Sequence, residues 1–135
     1  MKLSLVTLAL AAVSAAQNIR IRRPRPGASV VGGGVVSVVV QTPTNGSQLH
    51  EVSLILSILP CPNDNCPNAG NNLGTILYEG PFHPQGAPIP EQTLNVTVPE
   101  SVPLGTAELL ATHFVLVGGA PTLQIAGEVV YVDSD

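Results

Sequence analysis

The sequence predicts an all-β domain, an immunoglobulin-like antiparallel sandwich of about seven strands, and three observations predict it. Apolar and polar residues alternate at period two in several stretches of strand length, while nothing beyond the first residues repeats at the 3.6 period of a helix. Clusters of Gly, Pro, Asn and Asp separate these stretches. Gly and Pro each occur 13 times in 135 residues, which leaves little uninterrupted chain for helices. The chain has no Trp and two Phe, so the core must be aliphatic, without the Cys–Trp–Cys centre of antibody domains.

The chain opens on a predicted export leader. Lys2 supplies a positive start, Leu3 to Val13 is apolar apart from Ser4 and Thr7, and Ser14-Ala15-Ala16 offers small residues for a signal peptidase. The apolar run is about 11 residues, against about 20 for a permanent membrane helix. Residues 1–16 are therefore expected to be removed, leaving Gln17 first. No second long apolar stretch follows, so no integral membrane segment is expected, and the product is secreted. Residues 17–28 form a basic, Pro-containing arm. In Arg20-Ile21-Arg22-Arg23-Pro24-Arg25-Pro26 the prolines forbid a regular helix and the charges favour solvent. An extended solvated leader, an electrostatic hook for an anionic lipid or acidic partner, and a dibasic processing site at Arg22-Arg23 are its three readings.

Residues 29–135 are written as strands. Val35 to Gln41 is a β-branched run entered through Gly32-Gly33-Gly34, and Thr42 to Ser47 is a turn cluster containing Asn45-Gly46. Val52, Leu54, Leu56 and Ile58 share one face, and Ile55 makes the second face partly apolar, as in a central strand. Pro60 to Asn72 is irregular. Leu73 to Tyr78 is a short strand, and the four prolines between Pro81 and Glu91 exclude regular structure there. Leu94, Val96 and Val98 alternate with Thr93, Asn95 and Thr97. From Thr106 to Val117, Ala107, Leu109, Ala111, His113 and Val115 lie opposite Glu108, Leu110, Thr112, Phe114 and Leu116. After a turn at Gly118-Gly119, Leu123 to Val132 forms the last strand or pair, with a bulge or bend expected at Gly127.

Charge and cysteine content narrow the chemistry. The four arginines of the arm are the only cations after Lys2, and all nine acids follow Gly27, so the processed chain carries −5. An acidic body repels phosphate backbones, which argues against nucleic acid as a partner. Without cations from Gly27 onward, the domain is expected to rest on apolar packing and backbone pairing. Cys61 and Cys66 are the only cysteines. In an oxidising compartment they most simply pair with each other, in a ring so short that it stabilises by about 2 kcal/mol at most. Zinc is the alternative, but two thiols with no neighbouring His or Cys fall short of four ligands.

Catalytic groups are sparse. His50, His83 and His113 lack metal-motif spacing, and no Gly-x-Ser-x-Gly elbow is present. His113, in the middle of a strand, is expected to be packed or half exposed. Asp64 and Glu91 are the loop acids nearest possible concavities, and an enzyme would require one of them to meet His83 or His113 in a cleft. Tyr78, Phe82, Phe114 and Tyr131 are too few to argue strongly for stacking on sugars. No catalytic residue, cofactor or metal site is therefore expected. Asn45-Gly46-Ser47 and Asn95-Val96-Thr97 are glycosylation sequons, at Asn45 in a turn and at Asn95 on the outward face of a strand.

The stretch Leu73-Gly74-Thr75-Ile76-Leu77-Tyr78-Glu79-Gly80-Pro81-Phe82, and the longer one from Leu94-Asn95-Val96-Thr97-Val98-Pro99 through Leu104-Gly105-Thr106 to His113-Phe114, resemble the fungal necrosis-inducing secreted effector family. The likeness lies in the order of parts: a Leu-Gly-Thr strand, a Gly-Pro-aromatic loop, a strand ending in Val-Pro, and a strand running through His-Phe into Gly118-Gly119. It covers the C-terminal half closely and Val35 to Leu59 loosely. The resemblance brings no catalytic pattern. It implies an effector that acts by protein–protein contact, with plant receptor-like kinases of immunity as partners, damps host defence, provokes cell death and is able to enter host cells. The Arg-Pro arm and the Cys61–Cys66 loop depart from the family pattern. A cell-wall-associated structural or glycan-binding module is the alternative function.

Overall fold

The computed structural model describes residues 19–42 and 49–135 as eight strands in two sheets. The strands are β1 (Arg20–Arg23), β2 (Ala28–Val31), β3 (Val35–Gln41), β4 (Leu49–Pro60), β5 (Thr75–Gly80), β6 (Glu91–Thr97), β7 (Gly105–Val117) and β8 (Ala120–Asp133). One sheet has the order β1-β3-β6 and the other β2-β8-β7-β4-β5. The predicted leader and the Asn45 turn lie outside the described residues.

The sheets close over a single aliphatic core. Ile19, Ile21, Val38, Val40, Leu94 and Val96 come from the three-stranded side, and Leu54, Leu56, Ile58, Ala107, Leu109, Val130 and Val132 from the five-stranded side. Each strand contributes alternate residues because successive side chains point to opposite faces. The immunoglobulin-like sandwich expected from the pattern is therefore the observed class, with eight strands instead of about seven.

The strands that the pattern does not predict are β1 and β2, and β1 is the arm. Arg20 to Arg23 does not run free in solvent: it pairs antiparallel with β3, and Ile19 and Ile21 are buried. Two isoleucines at period two outweigh the solvating effect of Arg20 between them and Arg22 and Arg23 after them, and the prolines fall after the strand, where no ladder donor is lost. The arm ends by forming β2, which pairs parallel with β8, so the sandwich is not purely antiparallel. The turn after β2 carries the chain from the larger sheet to β3 in the smaller one, with the Gly33 N–H donating to Val98 O at 2.6 Å.

Two local expectations are also corrected. Val52 does not share the core face of Leu54, Leu56 and Ile58. The register shifts between Glu51 and Ser53, and this bulge turns Val52 outward, 53% exposed. Gly127 is not a bulge, because β7 and β8 pair in unbroken register from Gly105–Val132 to Val117–Ala120. Its missing side chain leaves room for Glu108, whose Oε1 lies 2.5 Å from where a Cβ would stand.

Candidate functional site

The strongest candidate for chemistry is the buried imidazole of His113. Its position in β7 faces it inward between Ala111 and Val115, and it is 1% exposed. Its Nε2 meets the Glu51 carboxylate from β4. Its Nδ1 lies 3.1 Å from Gln124 Oε1 on β8, the same oxygen that accepts the Ile19 N–H at 3.4 Å. Phe82 packs its ring edge-on against the imidazole, with centroids 5.3 Å apart. Both ring nitrogens are thus engaged, and neither is left to move a proton on a substrate. The cluster ties β4, β7, β8 and the residue preceding β1 together within an otherwise aliphatic interior.

The other predicted residues are dispersed. Asp64 lies in a short 3-10 turn, Pro62–Asp64, and accepts the Thr106 hydroxyl at 2.5 Å. His83 and His50 are exposed. Cys61 and Cys66 are bonded to each other, closing the turn that holds Asp64. Asn95 is exposed on β6, and its Oδ1 accepts the Ser37 hydroxyl at 2.6 Å. Among the described residues, no three His, Cys, Asp or Glu side chains are grouped to hold a metal ion, and no helix is long and apolar enough to cross a membrane.

Glu91 has a different role from the loop acid expected. It begins β6, where Arg22 reaches it with Nε at 2.9 Å and Nη2 at 3.0 Å, and Gln41 Nε2 donates to it at 3.0 Å. Arg22 is the extra residue of a bulge, since Ile21 and Arg23 pair with consecutive residues of β3. A bulge re-aims a side chain, and here the arginine spans three strands. The Gln41 amide, then the Arg22 guanidinium, hold the Glu91 carboxyl below its ordinary value of 4.5. Such a group contributes stability above that value and loses the contribution as pH falls through the lowered one. Glu91→Gln is therefore expected to lower the melting temperature modestly at neutral pH, and to converge on the parent, with a flatter acid fall, below about pH 4.5. An unaltered acid profile would show that the cluster does not contribute.

The surface that stands out is the outer side of the five-stranded sheet. Pairing puts Phe114 between Ser53 and Leu123, Thr112 between Ile55 and Ile125, and Leu110 between Ser57 and Gly127, all pointing away from the core. Leu123 is 56% exposed, Ile76 50%, Tyr131 48%, Val129 43% and Phe114 38%. Within this field, among the described residues, the buried hydroxyls of Ser57 and Thr112 have no hydrogen-bond partner. The β7 alternation had placed Phe114, Leu110 and Thr112 opposite the core. The contributions of Leu123, Val129 and Tyr131 were legible only once β8 was known to be one continuous strand.

Comparison with known proteins supplies a family. A sequence model of the Nis1 family matches residues 14–131. No curated protein matches the chain. Among solved structures, the fibronectin(III)-like modules of Clostridium thermocellum CbhA align at a TM-score of 0.48 and 14% identity, over 84% of this chain and 93% of theirs.

Proposed function

The chain belongs to the Nis1 family of necrosis-inducing secreted proteins, and from that premise we propose that it is a non-enzymatic effector that works by binding a host protein. The partner class proposed is the plant receptor-like kinases of immunity, whose signalling it would suppress, with cell death as a consequence. One observation carries the contact reading: the outward face of β4, β7 and β8 presents Phe114, Leu123, Val129 and Tyr131 together. A run of exposed large apolar side chains on a sheet face is characteristic of surfaces that meet another protein. The face is poor in charge, with Glu108, Glu79 and, at the end of β8, Asp133 as its acids, so a partner gains contact area there without burying many ions.

On this reading, residues 1–16 are the leader that exports the chain, and Asn95, exposed on the opposite sheet, can carry a glycan without covering the contact face. The test is a pulldown of plant immune kinase domains with the secreted chain and a Phe114→Asp/Leu123→Asp variant. The unsubstituted protein is expected to enrich a kinase domain, and the variant to lose at least about tenfold of that affinity, as a hot-spot loss would produce. Because both positions face solvent, the variant should keep its β-type circular dichroism and cooperative melt. Enrichment by neither protein at micromolar concentration would reject the reading. Retention on chitin or β-glucan in place of a kinase would replace it with a cell-wall role.

A further inference from the structure

We infer that the groove between β1 and the free edge of β8 docks an acidic, extended peptide segment of a partner protein, which adds as a strand while its carboxylates pair with Arg20, Arg23 and Arg25. β1 pairs with β3 alone, so its other edge is open among the described residues. β8 is covered by β2 only from Val130 to Asp133, with Gly27 N–H donating to Val129 O just before. From Ala120 to Glu128, no strand of the described residues pairs with β8 on that side. The two open edges line a groove of about 690 Å³.

Its charge specifies the occupant. All four arginines that follow the leader line this groove, opposed by a single acid, Glu128. Arg22 is held by Glu91, whereas Arg20, Arg23 and Arg25 are exposed and pair with no carboxylate among the described residues. Outside the groove, residues 27–135 carry the other eight acids and no cation. A positive strip beside an unpaired strand edge is complementary to an extended backbone bearing carboxylates: main-chain hydrogen bonds give the affinity and the alternate side chains give the selectivity. A flat anionic bilayer fits less well. It offers no backbone to the open edge, and it repels the acidic body behind the arginines.

This goes beyond the contact face proposed above and is tested separately. The processed chain is titrated by fluorescence anisotropy with a labelled synthetic peptide alternating valine and glutamate. The comparison probes are a valine–lysine peptide, the valine–glutamate peptide N-methylated at every second residue, and vesicles of phosphatidylserine and phosphatidylcholine. The acidic peptide is expected to bind. Its affinity is expected to fall at least about tenfold in an Arg20→Glu/Arg23→Glu/Arg25→Glu variant, and the N-methylated and lysine peptides are expected to fail. These arginines are exposed, so an unchanged melting curve shows that the variant is folded. No binding of the acidic peptide, equal binding of any control peptide, indifference to the charge reversal, or capture by vesicles alone would overturn the inference. The Phe114→Asp/Leu123→Asp variant is expected to keep peptide binding, so failure here leaves the kinase-contact reading standing, and the reverse holds as well.

Discussion

Replacing Phe82 with alanine is expected to lower the unfolding free energy by about 3–5 kcal/mol, as removal of a buried aromatic ring usually does. Phe82 is the largest fully buried side chain, 1% exposed, and it comes from the loop after β5, not from a strand. It belongs to the common core, where Tyr78 packs against the same cluster. Its ring also meets His113 edge-on, so the alanine variant leaves a cavity beside the His113–Glu51–Gln124 cluster. For a domain whose total stability is on the order of 5–15 kcal/mol, that is a large share. A melting temperature lower by roughly 10–20 °C is expected, with a smaller fall for Phe82→Leu, which refills part of the space. Urea denaturation of both variants checks it. An alanine variant melting within about a degree of the parent would show that the loop is not anchored by this ring.

Phe82 also shows where sequence patterning stops being informative. Within β6 and β7 the period-two rule suffices, whereas in β4 it fails at Val52, where the bulge shifts the alternation by one residue. Ala107, Leu109, Ala111, His113 and Val115 were grouped on one face and all are buried, as are Leu94, Val96 and Val98. Phe82 stands among prolines in a segment with no period, so alternation says nothing about its burial. Its burial depends on where the loop crosses the end of the sandwich, which no local pattern encodes. β1 was missed for the opposite reason. Ile19 and Ile21 did alternate, but arginine-rich, proline-bounded composition dominated the reading, and the strand gains its place only by pairing with a partner some 20 residues away.

The candidate sites divide along the same line. Cys61 and Cys66 are close enough in sequence for their pairing to be expected, and they are bonded. His113 and Glu51 are 62 positions apart, and Glu91 and Arg22 are 69 apart; their meeting is a product of the β4–β7 and β1–β3–β6 registers. The outward apolar face was half visible in Ile55, Leu110 and Phe114. Recognising it as one surface required the rung-by-rung alignment with β8, since Leu123, Ile125 and Val129 become neighbours of those residues only through the hairpin.

Gly74→Ala is expected to be the most damaging change among the exposed positions, costing on the order of 2–4 kcal/mol from left-handed backbone strain together with steric overlap. Gly74 has φ +75, and a Cβ there would lie 2.2 Å from the Ile58 carbonyl oxygen and 2.9 Å from the Leu59 Cα. Those are backbone atoms of β4, which is held on its other edge by β7, so they cannot give way as a side-chain tip would. Relief must come from the glycine's own side. The Asn72 side chain holds the Gly74 N–H at 2.8 Å, and β5 starts at the next residue and pairs with β4 from Ile58–Thr75 onward. The overlap therefore pries the edge strand from its neighbour, and β5 amides should exchange with deuterium faster while β7 amides stay protected. Gly118→Ala separates the two causes: it also has positive φ, +57, but nothing lies within 4 Å of its Cβ, so it should cost only about 1 kcal/mol. Equal stability of the two variants would mean that close approach to β4 is not what requires glycine at position 74.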